Sequence, residues 1–181
     1  MPLADHQIKS MCIHKLNDYS PFLIVPFIKD HLNPTGYDLT LGSHFRVPIR
    51  EGEEQVIDPF HPPEFAPIEA AESIIIPPHS FVLGSSVEYI RMPPDLVGIC
   101  LGRSTYARAA IITNVTPLEP GWEGNVTIEI SNTNPLPVRV FVGKGIIQVL
   151  FFKADEMPSK DYVAKGGRYN MQVGVQQGRS D

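Results

Sequence analysis

Two short stretches carry the side chains best suited to chemistry. The first is Gly102-Arg103-Ser104-Thr105-Tyr106-Ala107-Arg108. Its glycine lets a backbone approach a ligand, and Ser104 or Thr105 can cap a short helical turn. Free amides at such a start, with the Arg103 guanidinium beside them, suit a phosphate; the same pieces also make an ordinary N-cap with a surface arginine. Arg108 stands four residues beyond Ser104 and shares its helix face. The second stretch is Asn125 to Ser131, which alternates: Val126, Ile128 and Ile130 point to one face of a strand, and Thr127, Glu129 and Ser131 to the other. Glu129 is the one charge on its face, flanked by hydroxyls. A carboxylate so placed can activate water and pass the proton on, provided its surroundings tune its pKa toward the working pH. A solvated glutamate on an exposed strand is the plain alternative. Glu119, in Leu118-Glu119-Pro120-Gly121-Trp122, is a second acid on the adjoining loop, able to hold a sugar hydroxyl or simply to form a turn.

Other chemistries find no support in the spacing. His6, His14, His31, His44, His61 and His79 make no HxxxH or HExxH pair, so no metal-ligating set is expected. The HxE…PCxxC pattern of zinc deaminases, a GxxxxGK[ST] phosphate loop and a GxSxG elbow are all missing from the sequence. Gly143-Lys144-Gly145 reads as a hairpin turn. Cys12 and Cys100 are far apart and form no CxxC, which points to free thiols in a reducing, cytoplasmic setting.

The elements that must position these groups are mostly strands. Of 181 residues, 18 are proline, which breaks long helices and favours short strands with tight turns. One helix is expected over about Asp5 to Leu16, and a helical turn over Ser104–Ala110. Strands are expected at Tyr37–Leu41, His44–Val47, Ser73–Ile76, Ser80–Leu83, Val87–Ile90, Leu96–Leu101, Ile111–Val115, Asn125–Ser131, Val138–Val142 and Ile146–Phe152, with Gly84 separating two of them. Arg50 to Glu69 is expected to be an irregular excursion. Short strands at such spacing indicate a sandwich or barrel in one domain, residues 1–156, followed by a tail at 157–181 that stays mobile until something orders it. A net charge of -5 excludes a general nucleic-acid binder, though a few placed arginines suffice for a triphosphate. No apolar run approaches a membrane span of about 18 residues, so no membrane partner is expected.

Several blocks together resemble a known family. Gly36-Tyr37-Asp38-Leu39-Thr40-Leu41-Gly42, the Gly102–Arg108 block, Asn114-Val115-Thr116-Pro117, Gly121-Trp122-Glu123-Gly124, Thr127-Ile128-Glu129-Ile130-Ser131-Asn132 and Gly167-Arg168-Tyr169-Asn170-Met171-Gln172-Val173-Gly174 follow in the order seen in dCTP deaminases, within the dUTPase-like superfamily. The resemblance implies a mainly-β, distorted barrel or jelly-roll-like fold with one or two short helices. It implies homotrimers with active sites between subunits, and hydrolytic conversion of dCTP to dUTP and ammonia without a catalytic metal. Mg²⁺ accompanies the triphosphate. Glu129 falls on the catalytic acid/base, and Ser104 and Arg108 on positions that place the water and steady charge. Arg103, Thr105, Tyr106 and Ala107 fall on the triphosphate cradle; Thr127, Ile128, Gln148, Tyr162, Arg168 and Gln172 fall on other nucleotide contacts. The tail would close over bound nucleotide, and dTTP becomes a candidate inhibitor.

Two departures stand out. Glu119 replaces an aspartate common in the family and linked, in bifunctional relatives, to hydrolysis of the dUTP product; Arg168 stands where lysine is frequent. A bifunctional deaminase–dUTPase therefore remains an alternative, as does a non-catalytic nucleotide-binding regulator. The Phe-Gly-Ser-Thr closing motif of dUTPases does not occur in this tail.

Overall fold

The computed structural model describes residues 1–13, 22–49 and 56–179. Helix α1 (Asp5–Ile13) turns Ile8 and Cys12 inward; residues 14–16 of the expected helix lie outside the described residues. The strands are β1 (Ile24–Val25), β2 (Leu32–Asn33), β3 (Gly36–Thr40), β4 (His44–Pro48), β5 (Phe65–Glu69), β6 (Ser73–Ile76), β7 (Ser80–Arg91) and β8 (Leu96–Gly102). The short helix α2 (Ser104–Ala107) follows, then β9 (Ile111–Asn114), β10 (Glu123–Asn132), β11 (Val138–Phe141) and β12 (Gly145–Lys153).

Two sheets enclose the core. One runs β5-β4-β7-β10-β9 with β1 added on β7; the other runs β2-β3-β12-β8, and β6 pairs with β11 alone. Tyr37, Leu39, Phe45, Ile90, Ile128 and Phe151 fill the space between, each at most 1% exposed. Strand β3 is buried throughout, because both of its faces are covered. Its polar residues must therefore find partners inside. Thr40 does so by donating its backbone amide (2.8 Å) and its hydroxyl (2.6 Å) to the carboxyl of Glu88 on β7, a residue with no exposed surface. Burial raises the Glu88 pKa and the two Thr40 bonds draw it back down. Just beyond, Leu41 bridges to Ser86 and the Gly42 amide donates to the Ser85 carbonyl, so β3 is fastened across onto the other sheet.

The expected alternation holds on β10, where every second residue from Gly124 to Asn132 is buried. Its register against β7 shifts between Asn125 and Thr127. The backbone groups freed by that bulge are claimed locally: the Val126 amide donates to Ser86 Oγ, and the Asn125 side-chain amide reaches the carbonyls of Ser86, Val87 and Glu88.

Three expectations need correction. Phe65–Glu69 is a strand paired with β4, not part of an irregular excursion; its Pro67 and Glu69 sit on a sheet edge, where a missing donor costs little. Residues 50–55 of that excursion lie outside the described residues. Gly84 does not end a strand, because β7 runs through it: a Cβ there would come within 2.9 Å of Leu41, so the glycine gives room to the crossing chain. The tail is packed rather than loose, as described below.

Since Ile128 is wholly buried between the sheets, Ile128→Ala should cost about 2–5 kcal/mol of unfolding free energy. Denaturant titration checks this, and a loss below about 1 kcal/mol would contradict the packing described.

Candidate active site

Glu129 opens into a cleft of about 410 Å³. Strand pairing sets Leu83 and Asn114 on either side of it, while Phe65 and Phe81, edge-on at 6.2 Å between ring centres, form part of the cleft wall. Trp122, Tyr162 and Tyr169 close the far side. In these surroundings burial pushes the Glu129 pKa above the ordinary carboxylate value, with a partial opposing pull from a backbone hydrogen bond. A raised carboxyl can hold a proton nearer neutral pH and so serve as both base and acid. Cys100 lies within electrostatic reach of it: burial pushes that thiol up to about 12, and the Glu129 charge adds to the shift. Cys12 is likewise pushed up to about 12 by burial, so both cysteines stay as neutral thiols.

The tail builds one wall of this cleft. Trp122 donates its indole N–H to the Tyr169 carbonyl at 2.8 Å, and Tyr169 N–H donates to the Tyr162 hydroxyl. Gln172 exchanges bonds with Asn125: it receives that residue's amide at 2.9 Å and returns its side-chain N–H at 2.6 Å. Gly124 makes this approach feasible. Its φ of +152° disfavours other residues, and a Cβ there would sit 2.8 Å from Gln172. Further on, the Gly174 amide donates to Asn125 Oδ1, Arg46 Nε to the Val175 carbonyl and the Gln176 amide to the Thr127 hydroxyl. Gln172 and Val175 are buried. The expected mobile tail is thus an ordered strap, held by single anchors that leave no periodic pattern in the sequence.

The residues singled out from sequence fall into separate places. Thr127, Glu129, Tyr162 and Gln172 line the cleft together. Ile128 shares β10 with Thr127 and Glu129 but turns its side chain into the core. Glu119 is half-buried on the loop before β10, its carbonyl accepting the Trp122 amide. Arg168 is exposed on the strap, and its carbonyl accepts from Arg179. The α2 turn lies off the cleft: Ser104, Thr105, Ala107 and Arg108 are exposed, and Tyr106 packs partly against the core. Arg103 precedes that turn and pairs with Asp38 on β3, which stands opposite Gln148 in the strand register. Sequence reasoning did not single out Phe65, Phe81, Leu83 or Asn125 for the site. The first three follow only once β7 is placed beside β10 and β5 on the outer side of β4 in the same sheet.

Comparison with known proteins fixes the family. A family model for dCTP deaminase-like proteins (DCD) matches residues 5–154. The chain belongs to the dCTP deaminase-like family. It is 47% identical to a dCTP deaminase of Herpetosiphon aurantiacus over 146 residues, 80% of this chain and 78% of that one. It is 49% identical to a dCTP deaminase of Xanthomonas euvesicatoria over 142 residues, 77% of this chain and 74% of the other. The crystal structure of 2'-deoxycytidine 5'-triphosphate deaminase from Agrobacterium tumefaciens shares the fold, with a TM-score of 0.61 and 18% identity over 83% of this chain. This chain spans about half of that one, 47% of its length. The expected mainly-β architecture is therefore met by this member of the dCTP deaminase-like family.

The raised Glu129 pKa gives a stability prediction with a definite sign. A carboxyl whose folded pKa lies above its unfolded value binds more protons when folded, so its contribution falls as pH rises through that interval. Glu129→Gln should melt higher than the parent at neutral pH, and that advantage should vanish below the ordinary carboxylate pKa. A variant that melts lower at neutral pH would show that Glu129 is not desolvated.

Proposed function

We propose that this protein hydrolytically deaminates dCTP to dUTP and ammonia. The observation that carries the reading is Glu129: a carboxylate with its pKa raised by burial, in an aromatic-walled cleft of nucleotide-base dimensions, in a chain nearly half identical to proteins named dCTP deaminase. In this mechanism Glu129 takes a proton from water as the oxygen attacks cytosine C4, and delivers it to the ring nitrogen N3. Glu129 then takes the proton of the new C4 hydroxyl and passes it to the amino nitrogen; the C4–N bond breaks, ammonia leaves and a C4 carbonyl remains. Thr127, Tyr162 and Gln172 hold the nucleotide in the cleft; Ile128 contributes through its backbone.

Ser104 and Arg108 place the water and steady charge, and the turn from Arg103 to Arg108 holds the triphosphate. Mg²⁺ arrives bound to those phosphates, as part of the substrate. Because α2 lies off the Glu129 cleft of its own chain, these groups complete the site from another copy in a homotrimer. The enzyme works in the cytoplasm; no described helix is long and apolar enough to cross a membrane, which says nothing of β-barrels. Inhibition by dTTP belongs to the same proposal and is decided by initial rates measured with added dTTP.

Incubation with dCTP and Mg²⁺ should release ammonia and accumulate dUTP. Appearance of dUMP instead would assign the bifunctional reaction, with Glu119 in the second step. Binding without ammonia would leave only a nucleotide-binding protein. Glu129→Gln should retain dCTP binding and lose about 10²–10⁴ of the turnover rate, the usual weight of a positioned acid/base; near-normal turnover would end the mechanism.

Sharing of the site between copies predicts complementation. Glu129→Gln and Arg108→Ala, each inactive alone, should regain about a quarter of parental activity when co-expressed in equal amounts, since that share of random neighbours pairs two intact halves. No recovery would place both groups in one chain's site.

A further inference from the structure

Arg103, just before α2, is held by two contacts to the body of the fold. Its Nε lies 3.2 Å from Asp38 Oδ2, and its Nη1 donates to the Gly145 carbonyl at 3.2 Å. The guanidinium rests on Gly145 at a spot where a Cβ would stand 2.7 Å from Nη1. Asp38 is itself fixed. The side-chain amide of Asn33 donates to Asp38 Oδ1 at 2.8 Å, and His31 Nδ1 lies 2.9 Å from the Asp38 carbonyl oxygen. The Asp38 side chain is 11% exposed, whereas that of Arg103 is 41% exposed. One side of the arginine is thus built into the protein and the other faces out, at the start of the helical turn.

We propose that Asp38 is a positioning residue for the triphosphate: with Asn33 and the bare surface of Gly145 it holds Arg103 in the orientation that receives phosphate. This rests on the reading of the protein as a dCTP deaminase and extends it to residues outside the cleft. The physical reason is preorganisation. A free arginine samples many rotamers and must give them up when an anion binds, whereas a clamped one has already done so. Asp38 also offsets part of the arginine's charge, which weakens anion binding. The clamp helps only if fixing the orientation outweighs that loss, so the two effects predict opposite signs on removing the carboxylate.

Two readouts test this: steady-state kinetics with dCTP, and calorimetric binding of inorganic tripolyphosphate, which requires no turnover. Asp38→Asn should raise KM for dCTP and weaken tripolyphosphate about tenfold, with kcat within about twofold, as expected for lost binding preorganisation. Gly145→Ala keeps the carboxylate group but crowds the guanidinium (2.7 Å) and, less closely, the Asp38 side chain (3.1 Å); by disturbing the clamp it should act in the same direction, and it serves as the second test if Asp38→Asn folds poorly. In an Arg103→Gln background, Asp38→Asn should have no further effect on tripolyphosphate binding. A merely structural aspartate would lower melting temperature without this dependence on Arg103. Unchanged or tighter tripolyphosphate binding by Asp38→Asn would overturn the proposal while leaving deamination intact. Absence of ammonia from the parent, with tripolyphosphate binding still dependent on Asp38, would sink the assigned reaction and leave the clamp standing.

Discussion

The buried contact between Glu88 and Thr40 is the joint on which the rest of the molecule depends. Glu88 belongs to β7, the strand against which β10 is registered, and Thr40 belongs to β3, the strand that carries Asp38. A carboxyl with no exposed surface is costly to bury, and two short bonds from one residue recover much of that cost. Such a contact tolerates little displacement, because any shift would leave a buried acceptor unmade. It therefore fixes the relative placement of the two sheets more sharply than the surrounding aliphatic packing, which is non-directional. Glu129 hangs from one side of this joint and Arg103 from the other.

Strand β10 joins packing to chemistry through its two faces. Ile128 and Ile130 anchor it in the core, so Thr127 and Glu129 are held on the opposite face without freedom to rotate away. The bulge at Val126 changes the register just before these residues, and Ser86 and Asn125 satisfy the backbone it frees. Asn125 then serves a second purpose, since its backbone and side chain both receive the strap. One short segment thus aims the carboxylate, absorbs a backbone irregularity and docks the tail that covers the cleft.

Sequence and structure agree where the signal is periodic. The alternation of Asn125 to Ser131 predicts the strand, its buried face and the opposite face that carries Glu129, and the apolar runs around Ile76, Leu96 and Val149 predict theirs. Legibility fails where one residue does the work. Gly84 looks like punctuation in sequence, yet its missing side chain accommodates Leu41 from a strand far away along the chain. Phe65 is hidden among prolines, and its place in the cleft wall depends on a pairing that no local pattern encodes. The strap reads as loose because its anchors, Trp122, Gly124, Asn125 and Gln172, are scattered and polar or singular. The quoted motif blocks capture Glu129 and the α2 turn as chemistry-bearing, but not that the two lie apart within one chain.

That separation bears on how the acid is tuned. Among the described residues of a single chain, Glu129 is shifted upward by burial and drawn partly back by a backbone hydrogen bond, with no guanidinium among the causes. A carboxyl left in that state holds its proton to a higher pH than an ordinary one. An arginine brought close would favour the ionised form and lower the pKa again. If Arg108 enters from another copy, assembly supplies the cation that the isolated chain withholds, and the acid/base becomes balanced only in the complete oligomer. In the proposed homotrimer the same separation would spare each chain the cost of burying an arginine–carboxylate pair before a partner shares it.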